Sequence, residues 1–372
     1  MEREDITPDT ADEDGRTPLS WAAGNGHGSV VNILLEREDV TPNIPDKYGQ
    51  TPLLWAVKNG YKDVVRMLLE REDVTPGTAD RNGRTPLLWA TELRQEAIVK
   101  MLLEREDVTP NTADECGQTP LLWAVENVYK DVVRILLERE DVTPDTADQN
   151  GRTPLLWATE FRQEAIVKML LEREDVTPNI PDTYGRTPLL WAAENGYKDV
   201  VRMLLEREDV TPDISDEDGR TPLSWAAGNG DGDVVKLLLE REDITPDTAD
   251  KYGQTPLWWA AKNGHKDAVR MLLRWEGATL DATGKNSQRP LTWAPELLLE
   301  GASVSQDMPI TNFTGRTVLR QTSKKQRSGA PKRQLENRRS VLQSASGDSS
   351  ISLFQAEPSE SSQLPSKKIQ RS

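Results

Sequence analysis

The chain has 372 residues, and only 36% of them are apolar, below the roughly 45–50% usual in globular proteins. A single large core is therefore not expected, no run of about 18 apolar residues offers a membrane span, and MEREDITPDT has the form of no secretory signal. The net charge of −16 divides sharply: residues 1–315 hold 34 Lys/Arg against 58 Asp/Glu, residues 316–372 hold 12 against 4.

In chain order, residues 2–8 (EREDITP) repeat the stretch Glu36 to Pro42, so residues 1–8 read as the end of a unit whose beginning is not encoded. That start leaves two expectations: an exposed outer face on the first full unit, or a chain that is part of something longer. From there tryptophan recurs every 34 residues, from Trp21 and Trp55 through to Trp293, and Gly-x-Thr-Pro recurs in register from Gly15 to Gly253. Eight units occupy residues 9–286.

One unit reads DKYGQTPLLWAVKNGYKDVVRMLLEREDVTPG. Thr51 is placed to cap a helix whose first residue is Pro52, where the missing N–H costs nothing. Leu53, Trp55, Ala56 and Val57 give this first helix a short apolar surface. Asn59-Gly60 turns the chain, and Val64, Val65, Leu68 and Leu69 form the buried stripe of a second helix. The polar stretch REDVTPNIPDKYG reads as an extended finger. Neither helix is long enough to stand alone, so the pairs must stack into a solenoid. The aspartate three before each finger glycine, from Asp12 to Asp250, has a turn-forming role. The tryptophans occupy a fixed helical slot and are expected to fill the core; stacking of bases on them is disfavoured by the surrounding acidity.

After the eighth unit, residues 287–315 keep Pro290 and Trp293 in register but shorten between the helices, and read as a degenerate C-terminal cap. Residues 316–372 have no period, 13 serines and scattered Lys/Arg, a disordered composition. Their basic clusters, Lys324-Lys325-Gln326-Arg327, Lys332-Arg333 and Arg338-Arg339, suit nuclear import or a weak electrostatic contact with nucleic acid. RQLENRR has too few basic residues and no leucine heptad for a basic-zipper reading.

The unit resembles the ankyrin repeat, with its G-x-T-P-L-H-x-A-A stretch, Asn-Gly turn and V-V-x-x-L-L helix, over about residues 1–300. The TPLLWA and LLERED variants resemble arrays from filamentous fungi. The resemblance implies an all-α ankyrin-repeat solenoid, helix–turn–helix plus finger, followed by the disordered tail. Three departures stand out. The usual His is Ser20, Leu54, Leu88, Leu122, Leu156, Leu190, Ser224 or Trp258, so its hydrogen bonds between repeats are missing. The turn glycine is Arg94, Val128 and Arg162 in the third to fifth repeats, where a different, more helical turn is expected. The glycine usually found after the second helix is absent from most repeats.

Chemistry finds few parts. Asp213, Asp216 and Asp218 lack the spacing of a calcium loop, and Trp225 stands where its glutamate belongs. His27 and His265 share one register in repeats that cannot meet. Cys116 cannot form an internal disulfide, which points to an intracellular, reducing setting, nucleus or cytoplasm; there the sequon Asn312-Phe313-Thr314 has no meaning. No phosphate loop, Ser/His/Asp set or zinc motif is present, and no catalytic, cofactor or metal residue is assigned. The resemblance implies a concave, protein-binding face of fingers and first helices. Its varying positions give the candidates: Lys47, Tyr48, Arg81, Asn82, Thr183, Tyr184, Lys251 and Tyr252 on the fingers, and Lys58 and Lys262 on first helices. The expected function is a non-enzymatic regulatory adaptor, such as a nuclear transcription co-regulator that binds another protein. A purely cytosolic adaptor, or the recognition array of a larger NACHT-type receptor, remains open.

Overall fold

Each Thr-Pro step that follows a finger glycine starts a first helix in the computed structural model, which describes residues 7–275. Thr51 is extended (ψ 164°), its hydroxyl accepts from the Leu54 N–H, and Pro52 opens the helix Pro52–Lys58. A second helix, Lys62–Leu69, follows after a three-residue turn. The pattern runs from Pro18–Gly24 and Gly28–Leu35 in repeat 1 to Pro256–Lys262 and Lys266–Arg274 in repeat 8, sixteen helices among the described residues. First helices pack side by side in one layer and second helices in another, each pair also packing on itself. Residues 1–6, the degenerate stretch 287–315 and the basic tail lie outside the described residues.

The core lies between the two layers. Leu53, Ala56, Val57, Val64, Val65 and Leu68 are buried in repeat 2, and their counterparts recur along the stack. At the position where the ankyrin pattern has His, Leu54, Leu88, Leu122, Leu156 and Leu190 are fully buried, each stabilising by about 1.5–3 kcal/mol over exposure. Ser20 and Ser224 instead meet the hydroxyls of Thr17 and Thr221 at 3.2 Å. The outer face of repeat 1 exposes Val30 and Ile33.

The expected helical turn in repeats 3 to 5 is not what forms. Arg94, Val128 and Arg162 keep positive φ of 54°, 61° and 52°, as Gly60 does at 74°. The hydrogen bonds of the turn impose this: Val128 N–H bonds Val125 O at 3.1 Å and Tyr129 N–H bonds Ala124 O at 2.8 Å. A side chain held there costs about 1–2 kcal/mol.

Side chains from the next repeat take over what the missing second glycine would do. Arg71 Nη1 donates to Leu35 O at 2.8 Å, at the C-terminus of the preceding repeat's second helix. Arg105, Arg139, Arg173, Arg207 and Arg241 do the same to Leu69, Leu103, Leu137, Leu171 and Leu205. A cation there meets the negative end of the helix dipole. Each arginine is held by the aspartate two residues on, as Arg105 is by Asp107. Fingers are linked too: at six of the seven junctions among the described repeats a backbone N–H bonds the previous fingertip carbonyl, for example Arg81 N to Tyr48 O at 3.1 Å. Gly49 permits the approach, since a Cβ there would lie 3.0 Å from Arg81 N.

Candidate partner-binding face

The finger aspartates do more than form turns. Asp46 Oδ1 accepts from the N–H groups of Tyr48 and Gln50, and Oδ2 accepts from the indole of Trp55 at 3.1 Å. The same aspartate-to-tryptophan bond, nine residues long, occurs at Trp21, Trp89, Trp157, Trp225 and Trp259. Apart from Trp157, which is part of the core, the tryptophans therefore sit at its edge and do not fill it. Trp21 is 47% exposed, Trp157 is buried, and the others are half-buried along the exposed side of the first helices.

Cations cover these rings. The residue after each finger glycine is Arg16, Gln50, Arg84, Gln118, Arg152, Arg186, Arg220 or Gln254. Where the following repeat has Gln, the arginine reaches forward: Arg16 lies 3.8 Å from Asp46, Arg84 3.7 Å from Asp114 and Arg220 4.0 Å from Asp250. Where the following repeat has its own Arg, it folds back, as Arg152 does on Asp148 and Arg186 on Asp182. Burial works against the charge on Asp148, but hydrogen bonds from Arg152 and Asn150 outweigh it and hold the carboxyl below its usual range.

The first-helix candidates join this layer. Lys58 Nζ lies 4.1 Å from the Trp89 ring and is half-buried; desolvation lowers its ammonium despite the pull of Asp80 and Asp46. Lys262 lies over Trp259 at 4.7 Å and is exposed. In repeats 3 to 6 the position is Glu92, Glu126, Glu160 or Glu194, and in repeat 7 it is Gly228. Arg84 holds Glu92 at 2.9 Å and Arg152 holds Glu160 at 3.5 Å. Burial raises Glu194, beyond what Arg186 offsets.

All eight fingertip candidates are exposed. The finger bond brings Tyr48 to Arg81 and Asn82, whereas Thr183-Tyr184 and Lys251-Tyr252 stand apart in repeats 6 and 8. Lys47 pairs with Asp14 of the previous finger and sits 5.2 Å from its neighbour Tyr48. Arg186 lies between the rings of Tyr184 and Trp191. Cys116 is an exposed free thiol. Asp213 is turned to Thr245 of the next repeat and Asp216 to Trp225, so each is committed to the frame. Composition did not reveal the arginine and tryptophan layer; its signal was the constant nine-residue step from Asp to Trp.

The family model of ankyrin repeats (3 copies) matches in overlapping windows, residues 3–78, 39–112, 72–146, 106–182, 141–213 and 208–286. The chain belongs to the ankyrin-repeat family. Ankyrin repeats typically mediate protein–protein interaction and are generally non-enzymatic. No curated protein matches the sequence. Among solved structures, the ankyrin repeat domain of Bcl-3, a unique member of the IkappaB protein family, is 29% identical with a TM-score of 0.53, the match covering 61% of this chain and all (100%) of that one. EF0377, an ankyrin repeat protein, is 26% identical with a TM-score of 0.47, covering 53% of this chain and 100% of its own. No helix among the described residues is long and apolar enough to cross a membrane.

Proposed function

We propose that this ankyrin array is a regulatory adaptor that grips another protein with its fingertips and first helices, and that its basic tail delivers it to the nucleus as a transcription co-regulator. The carrying observation is the contrast between frame and tips. The frame residues bond one another from repeat to repeat, while Tyr48, Tyr184 and Tyr252 are exposed at fingertips that the backbone already holds in place. Rigid aromatic side chains of this kind give contact area at little entropic cost. Lys47, Arg81, Asn82, Thr183 and Lys251 flank them, and Lys58 and Lys262 extend the face. Likeness to the ankyrin domain of an IkappaB-family protein supports a regulatory setting. Lys324, Lys325, Arg327, Lys332, Arg333, Arg338 and Arg339 support the nuclear one.

Proximity labelling in living cells, wild type against the Tyr48→Ala, Tyr184→Ala, Tyr252→Ala triple variant, tests the grip. Loss of the wild type's principal labelled proteins is expected, and an unchanged labelling pattern refutes it. Comparing the location of the full chain with a 1–315 truncation tests the address. A nuclear full chain and a non-nuclear truncation are expected; if both remain in the cytosol, the array is a cytosolic adaptor.

A further inference from the structure

Of the eight tryptophans that keep the 34-residue register within the described residues, seven carry a cation. Trp21 and Trp55 share Arg16, Trp89 has Lys58 and Arg84, Trp157 has Arg152, Trp191 has Arg186, and Trp225 and Trp259 share Arg220. Trp123 has none among the described residues, although it is half-exposed like its sisters. Its indole Nε1 is buried without a hydrogen-bond partner, and so is Oε1 of Gln118.

The cause is local and can be traced. Repeat 4 has Gln118 in place of its own arginine, so the cation must come from Arg84 of repeat 3. Repeats 2 and 8 are in the same position and are served by Arg16 and Arg220, which cross to Trp55 and Trp259 at 4.1 and 4.2 Å. Both of those arginines come from repeats with glycine at the first-helix position, Gly24 and Gly228. Arg84 comes from a repeat with Glu92 there. That carboxylate binds its Nη1 at 2.9 Å; its Nε reaches Asp114 at 3.7 Å, as the other two reach Asp46 and Asp250, but its guanidinium covers Trp89 at 5.0 Å and not Trp123. Repeat 4 also lacks the lysine that covers the ring in repeats 2 and 8, because its first-helix residue is Glu126. Repeat 4 therefore combines an indole face without a cation, the exposed carboxylate of Glu126 three residues on along the same helix, and a Gln118 carbonyl oxygen without a partner, while Asp114 is already met by Arg84. Partial desolvation raises Glu126, beyond what Arg152 of the next repeat offsets.

We infer that the Trp123 face in repeat 4 is a receptor for an arginine side chain of the bound protein, which takes the place that Arg16 and Arg220 occupy in repeats 2 and 8. Arginine fits better than lysine, because a planar guanidinium stacks on the indole while its edge donates to Glu126 and Gln118. The inference rests on the protein-binding reading above and names one feature of the partner, an arginine presented to the middle of the array.

The test uses the full chain and N-acetyl-arginine amide as probe, with N-acetyl-citrulline amide as the neutral isostere. Tryptophan indole N–H resonances of 15N-labelled protein are followed by NMR, and the Trp123 signal is identified by Trp123→Phe. Arginine amide is expected to shift Trp123 saturably at tens of millimolar and to leave Trp157, bonded to Asp148 and covered by Arg152, in place. Citrulline amide should bind at least fivefold more weakly. Two variants copy sister repeats and so keep the fold: Gln118→Arg supplies the repeat's own cation, and Glu92→Gly releases Arg84. Both should abolish the shift. Equal shifts from arginine and citrulline, no shift up to 100 mM, or an undiminished shift in Gln118→Arg each overturn the inference. None of these outcomes touches the fingertip reading, which the tyrosine variant tests separately.

Discussion

Asp213→Asn should stabilise the array at neutral pH, and the gain should vanish in acid. One finger position is filled by Asn or Asp in every repeat but one, where it is Gly77. Asn179 bridges to the next repeat with two bonds: its Nδ2 donates to Asp209 O at 2.7 Å, and its Oδ1 accepts from Thr211 N at 3.0 Å. Asn43 and Asn111 do the same. Asp213 accepts from Thr245 N at 2.7 Å, but its Oδ1 is buried with no partner, because a carboxylate cannot donate to a carbonyl. Burial raises this carboxyl, against the hydrogen bond from Thr245 that lowers it. A folded-state pKa above the unfolded one means stability that is full below about pH 4 and is lost as pH rises through the folded value. Replacing the carboxylate by an amide adds one hydrogen bond and relieves one buried acceptor. Since the side chain is half-exposed, the net gain is about 1 kcal/mol at pH 7. Urea midpoints of variant and wild type, measured from pH 4 to pH 7, read the difference. Glu13→Gln, which removes an exposed charge, controls for the acidity of the array. A gain that is absent at pH 7, constant across the range, or matched by Glu13→Gln would refute the reasoning.

Val128→Gly should raise the urea midpoint. It relieves about 1–2 kcal/mol of left-handed strain and returns up to about 1 kcal/mol in chain entropy, while Val128→Ala, which keeps a Cβ, should gain nothing. Arg105→Ala removes bonds to Leu69 O, Arg71 O and Val74 O and should cost about 2 kcal/mol in denaturant unfolding. Arg105→Lys should not restore it, since an ammonium lacks the fork; a lysine variant equal to wild type refutes that account. Hydrogen bonds from Arg105 and Arg139 hold Asp107 and Asp141 below the usual carboxylate range. Their contribution is present above about pH 4 and lost as pH falls through the depressed values, so Asp107→Asn with Asp141→Asn should flatten the acid limb of unfolding measured between pH 2 and 5.

The stacking unit was legible because its cues are local and repeated. Thr-Pro at a helix start, an apolar 3.6-residue stripe and the finger glycine each act within one repeat, and Thr51, Leu68 and Gly49 behave as those rules require. Rules of propensity failed where neighbouring repeats decide. Val128 is an unsuitable residue for a left-handed turn, yet helices packed on both sides fix the ends of that turn and leave no room for another. Tryptophan was placed in the core by its bulk, but its N–H needs an acceptor, and the finger aspartate draws it to the edge. The arginine caps were hidden for a related reason. Arg71 and Asp73 read as a polar finger, and only the fold shows that the carbonyl they serve belongs to the preceding repeat.

A frame that shares its polar bonds between neighbours also shows how near-copies of one repeat come to differ. There are eight finger aspartates in the array and five arginines to meet them, so three repeats depend on the arginine of the repeat before. In two of the three a glycine lets that arginine cross onto the ring as well; in the third it reaches Asp114, but Glu92 keeps it off the ring. The property of repeat 4, an indole face without its cation, is thus determined by a residue in repeat 3. Substituting within repeat 4 alone would locate the site but not its cause, whereas Glu92→Gly and Gln118→Arg approach the same tryptophan from either side. If both close the site, exchange of arginine between repeats governs this surface; if only Gln118→Arg does, Arg84 is held by the packing of its own repeat and Glu92 is incidental.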